Sequence, residues 1–165
     1  MSLQTIYLVG PVIGQGIHGM QDWRQEARGK LEPMGYRILS PLTGEALLWP
    51  EGKIAAKTPK GVPQDVARAV FNGDRARVEQ SDILLCNFKD AKKVSIGSLT
   101  EIVWGFEWKK MIVLVANKRN CHLHPWVKTI MAGPIFAEMR DAYKYLEALS
   151  KEFHCEQKEP EIRAS

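Results

Sequence analysis

The stretch "DILLCNF", residues 82–88, is apolar throughout its middle and shows no alternation of apolar and polar residues. A short run of this kind suits a strand buried on both faces, as strands of a parallel sheet are. Working outward, "TIYLVG" (5–10) and "MIVLVAN" (111–117) have the same character. "YRILSP" (36–41) is a further strand closed by Pro41, and "PIFA" (134–137) is a short fifth one. Helical patterns separate them: 20–35 with Gly35 as its stop, then 64–80, 98–110 and 124–133, with an amphipathic closing helix over 138–153. Strands alternating with helices predict a doubly wound parallel α/β sheet of about five strands in one domain, residues 1–153, followed by a polar tail over 154–165. Ligands in such sheets bind beyond the carboxyl ends of the strands.

The chain has 165 residues, enough for one sizeable core. Its net charge of +4 and pI of about 9.0 suit a phosphorylated small molecule. The basic residues are scattered rather than clustered, which argues against a nucleic-acid partner. Three cysteines with no C-x-x-C pair suggest reduced thiols. The opening "MSLQTIYLVGP" has no basic leader, and no apolar run approaches the ~20 residues of a membrane span. The expectation is a soluble, cytoplasmic protein without a membrane partner.

Several motifs compete for attention. "GQGIHG" places glycines at 14, 16 and 19 in the spacing of a dinucleotide-binding fingerprint. The first strand ends three residues too early for it, and the second ends in Leu39-Ser40-Pro41 rather than in the acid that would hold a ribose. Backbone amides wrapping a sugar or phosphate ahead of a helix are the better reading. "CHLH" (121–124) has two histidines but no second ligand pair nearby, so it reads as a polar surface loop rather than a metal site. Trp104 and Trp108 share a helix face and should pack together. The irregular stretch 42–63, which includes Trp49, is long enough to be functional.

"SIGSLTEIVWGF" (95–106) holds the most chemistry. Ser98-Leu99-Thr100-Glu101 has the form of a capping box, with Ser98 as the N-cap of a helix and Glu101 three residues on. The same Glu101 would also lie near the positive end of a helix dipole, at the carboxyl end of the sheet, where an ionised nucleophile is useful. Pattern alone does not choose between cap and catalyst.

Taken in order, "IYLVGP", "NGDRARVEQSDILLCNF", "SIGSLTEIVWG" and "KTIMAG" resemble the nucleoside 2-deoxyribosyltransferase superfamily over about residues 5–148. The resemblance implies a flavodoxin-like (Rossmann-like) fold, a homodimer or dimer-based oligomer, and no metal or redox cofactor. It also implies N-glycosidic bond cleavage with Glu101 as nucleophile and a glycosyl-enzyme intermediate. Asp74 matches the acid that holds or protonates the leaving base, Tyr7 matches a tyrosine at the end of the first strand that lines the pocket, and Gly10, which follows that strand, is a further substrate-binding candidate. Transferases acting on free nucleosides carry an Asp six residues before the nucleophile, where this chain has Ser95. A serine there fits the branches that hydrolyse nucleoside 5′-monophosphates, the deoxynucleoside monophosphate and hydroxymethyl-cytidylate hydrolases. Gly97 and Ser98 would add loop donors for the phosphate, Arg24 is a further candidate from the first helix, and Thr129 would reach a neighbouring subunit's site. The implied function is release of the base from a (deoxy)nucleoside 5′-monophosphate. Base exchange between deoxynucleosides and a non-catalytic nucleotide sensor are the alternatives.

Overall fold

The computed structural model describes residues 4–11, 17–41, 64–131 and 133–156. Gly14 and Gly16 of the glycine cluster, the 42–63 stretch with Trp49, and tail residues 157–165 lie outside the described residues. The sheet consists of β1 (Thr5–Val9), β2 (Arg37–Leu39), β3 (Ile83–Asn87), β4 (Met111–Val115) and β5 (Ile135–Phe136). The helices are α1 (Ile17–Leu31), α2 (Gln64–Gln80), α3 (Ile96–Glu107), α4 (Pro125–Ile130) and α5 (Met139–Glu156), with a 3-10 turn at Glu32–Met34. The closing helix thus runs three residues past its expected end at 153. The strands are all parallel in the order β2-β1-β3-β4-β5, the flavodoxin-like arrangement, with its switch point between β1 and β3.

Continuous apolar strands give each face of the sheet its own core. Ile6, Leu8, Ile83, Leu85, Val113 and Val115 point to one side and pack with Ala27 and Leu31 of α1 and Ala142 and Leu146 of α5. Tyr7, Val9, Leu84, Cys86, Ile112 and Leu114 point to the other and pack with Val78 of α2 and Ile102 of α3. This parity, a consequence of the two-residue repeat of a strand, aims the Tyr7 side chain at the α2–α3 face. Trp104 and Trp108 stack at 6.3 Å on that side, and Phe71 meets Trp104 edge-on at 5.1 Å.

Close backbone approaches fix the strand ends. Asp82, just before β3, accepts the Thr5 amide on its carboxylate at 2.8 Å and donates its own amide to the Thr5 carbonyl at 2.8 Å. Gly35 turns the chain from the 3-10 segment into β2 with φ of 89°, a left-handed conformation that suits glycine. Gly133, which precedes β5, lies against β4 so tightly that a methyl group there would collide with the Ile112 carbonyl oxygen. Because the obstacle is backbone in a central strand, relaxation means moving β4 or β5. Gly133→Ala is therefore expected to destabilise the fold by about 1–3 kcal/mol, read as a lower urea midpoint at unchanged slope.

Candidate functional site

The start of α3 differs from the expected capping box. The N-cap is Ser95, with φ −94° and ψ 110°, and its Oγ accepts the Ser98 amide at 3.3 Å. The helix therefore opens three residues earlier than Ser98, and Ser98 lies inside its first turn, its own hydroxyl donating to Ser95 Oγ at 3.0 Å. Ser and Asn or Asp side chains compete well at an N-cap, and here two serines three apart offered two registers. The consequence for Glu101 is large. It is not a cap but a second-turn residue, buried at 8% exposure, on the helix face turned toward the sheet.

What Glu101 meets there is Tyr7. The Tyr7 hydroxyl donates to Glu101 Oε1 at 2.7 Å, across 94 residues of sequence. Burial first, then the neighbouring charges of Glu101 and Asp74, push the Tyr7 hydroxyl well above its ordinary pKa, so it remains a donor. Asp74 approaches the same hydroxyl from α2 closely enough for the two groups to influence each other's protonation, while the single phenolic hydrogen is committed to Glu101. The stronger influence on Asp74 is burial, which raises its pKa to about 6 despite the Arg77 guanidinium 3.1 Å away. Arg24, 3% exposed, reaches from α1 to donate to the Gly10 carbonyl at 2.9 Å and adds a positive charge that both Tyr7 and Asp74 feel. Gly10 itself has no room for a side chain: an added methyl would sit 3.0 Å from the Asn87 carbonyl and from the Trp23 ring.

The structure thus brings Tyr7, from the middle of β1 rather than its end, together with Asp74 of α2 and Glu101 of α3, with the Arg24 charge close enough to be felt by Tyr7 and Asp74. Ser95, Gly97 and Ser98 lie one turn away at the amino end of α3. Gly97 and Ser98 present helix amides rather than the loop amides expected, and the Ser98 amide is already committed to Ser95. The first amides of a helix have no intrahelical acceptor, and Ile96 and Gly97 at this end of α3 are both exposed. Gly97 is exposed, with open space where a side chain would stand. Thr129 is separate from this group: it is exposed on α4, its hydroxyl donating to the Pro125 carbonyl at 3.0 Å.

Two further residues were not expected here. Arg77 is one, although its i, i+3 spacing from Asp74 is a visible signal. His122 is the other. The "CHLH" segment is not simply a polar surface loop, because His122 is 1% exposed and its Nε2 accepts the Ser95 amide at 2.8 Å. Burial lowers its pKa. His124 is the N-cap of α4. Cys86 and Cys121 are free thiols, Cys86 buried beneath Glu101 and Cys121 exposed. Among the described residues no helix is long and apolar enough to cross a membrane.

No family model matches the chain, and no curated protein matches it. Solved structures do. A 2-deoxyribosyltransferase from the psychrotolerant bacterium Bacillus psychrosaccharolyticus aligns with a TM-score of 0.63 at 16% identity, covering 88% of this chain and 95% of that one. The CMP N-glycosidase of Clostridium botulinum aligns with a TM-score of 0.54 at 12% identity, covering 88% and 99%. Both are enzymes, the first of the kind the sequence motifs resemble, and this chain has their fold.

Asp74 gives the site a pH signature. Its folded pKa of about 6 lies above the unfolded value near 3.8, so the folded state holds the proton more tightly. Its contribution is favourable below the unfolded value and is lost as pH rises through about 6. Asp74→Asn, which keeps an oxygen for Arg77, should gain stability relative to the parent between pH 4 and pH 8, by at most about 2–3 kcal/mol. Parallel thermal melts across that range check it; a difference independent of pH would remove Asp74 as its source.

Proposed function

We propose that this protein cleaves the N-glycosidic bond of a (deoxy)nucleoside 5′-monophosphate and releases the free base. The observation that carries the reading is the buried Glu101 carboxylate held by Tyr7, with an Asp74 of raised pKa on the same hydroxyl. In the first step the Glu101 carboxylate attacks C1′, the C1′–N bond breaks, and its electron pair leaves with the base. Asp74, protonated in a useful fraction near neutral pH, supplies the proton that the departing nitrogen needs. The sugar is then held as an ester of Glu101. Water attacks C1′, gives up a proton to Asp74, and restores the Glu101 carboxylate. Tyr7, kept protonated, orients Glu101 through both steps. The two-step logic is that of retaining glycosidases.

The phosphate reading rests on the amino end of α3. Ser95 and the first-turn amides of the exposed Ile96 and Gly97 would offer donors and a positive dipole end to a phosphate, and position 95 carries no carboxylate to repel it. Arg24, held by Gly10, belongs to the electrostatics of the catalytic group more than to the phosphate. Thr129 is exposed, as a residue completing a second copy's site must be, and we place it in a homodimer. The fold shared with a CMP N-glycosidase supports the same reading.

Two variants test it with one assay, in which the protein is given a deoxynucleoside monophosphate, or a deoxynucleoside plus a free acceptor base. Glu101→Gln keeps an oxygen for the Tyr7 hydroxyl and should fold normally while losing base release by about a thousandfold or more. Near-parental turnover would exclude Glu101 as nucleophile. Asp caps a helix as well as Ser does, so Ser95→Asp leaves α3 intact while placing a charge at the proposed phosphate position. It should weaken monophosphate binding about tenfold or more and nucleoside binding far less; equal effects would refute the phosphate assignment. In the parent, product appearing only with the acceptor base would make it a transferase, and binding without base release would make it a sensor.

A further inference from the structure

The imidazole of His122 is held on every side. Its ring stacks on Phe88 at 4.0 Å, with the planes 9° apart, and Phe88 is itself wholly buried just after β3. Nε2 accepts the Ser95 amide at 2.8 Å, and Nδ1 faces Asn120 Oδ1 at 3.1 Å. Because the Ser95 amide must donate, Nε2 must carry the lone pair. The neutral ring therefore has its proton on Nδ1, where Asn120 Oδ1 accepts it. Asn120 Oδ1 also accepts the His122 backbone amide at 3.0 Å, while Asn120 Nδ2 donates to the Phe88 carbonyl. The Cys121 thiol lies 3.5 Å from Nδ1 as a further polar neighbour of the ring. This arrangement reaches across 27 residues to a single atom, the N-cap amide of the helix that bears Glu101.

An N-cap amide precedes the helix and cannot be satisfied by it. Buried and unpaired, it would pull the cap toward water and shift the first turn of α3, which carries both Ser95 and the approach to Glu101. We propose that His122 is a positioning residue: through Nε2 it holds the Ser95 amide and so fixes the first turn of α3 and the placement of Glu101 beside Tyr7. The inference rests on Glu101 being the nucleophile for its catalytic consequence, but the tether itself is a matter of geometry. A residue that only filled space here would be replaceable by any ring that stacks on Phe88. A tether would not, because stacking and accepting are separate properties.

Two variants separate those properties. His122→Phe keeps the stack and removes the acceptor, whereas His122→Gln places an amide oxygen near the Nε2 position and gives up the ring. Base release from a deoxynucleoside monophosphate and hydrogen exchange at the Ser95 amide are measured in both and in the parent. His122→Phe should speed exchange at Ser95 and lower kcat/KM, each by about tenfold or more, and His122→Gln should recover most of both. Equal losses in the two variants, or parental values in His122→Phe, would overturn the proposal. Should His122→Phe not fold, nitrogen-15 spectra of the parent imidazole decide: a bare Nε2 and protonated Nδ1 are expected, and a proton on Nε2 would refute the tether. If the parent releases no base, the catalytic reading fails, while exchange and tautomer still judge the tether.

Discussion

One hydrogen bond, from the Tyr7 hydroxyl to Glu101, depends on nearly every level of the structure and organises the site in return. It requires β1 to sit beside β3, so that Tyr7 is level with Leu84 and close under α3. It requires the parity of β1 to place odd-numbered side chains on the α2–α3 face; a slip of one residue would send Tyr7 into the opposite core. It also requires α3 to begin at Ser95, since starting one residue away would turn Glu101 by about 100° around the helix. A buried carboxylate without such a donor is costly, so the bond both stabilises the acid and limits where it can go.

The same region carries an electrostatic tension that the cores on either face must offset. Asp74 and Glu101 both approach one hydroxyl, and burial favours the neutral form of Asp74. Arg24 and Arg77 answer part of that negative charge from α1 and α2. Burial raises the proton affinity of both Tyr7 and Asp74, so keeping these groups inside the fold lowers stability locally.

Much of this was legible in the sequence, for identifiable reasons. Apolar runs such as "ILLCN" and "IVLV" have few alternatives to a doubly buried strand, and α2 was legible to the residue from its periodicity. The start of α3 was not, because Ser95 and Ser98 stand three apart and both suit an N-cap; only Ser95 also receives the distant His122. His122 was invisible for the same reason that makes it interesting, since its partners are set by the fold and not by its neighbours in "CHLH". Gly133 carries no local sign that Ile112 lies against it.

The two ends of β3 are fastened in unrelated ways. At its amino end, Asp82 is tied to Thr5 by two hydrogen bonds, one donated by its amide and one accepted by its carboxylate, which locks the offset of β3 against β1. Beyond its carboxyl end the chain turns through Phe88, which stacks on His122, toward Ser95 at the start of α3. Alignment of the sheet and the start of α3 therefore depend on different residues. A change at Ser95 leaves both bonds between Asp82 and Thr5 in place, so the first turn of α3 can shift without sliding one strand past another.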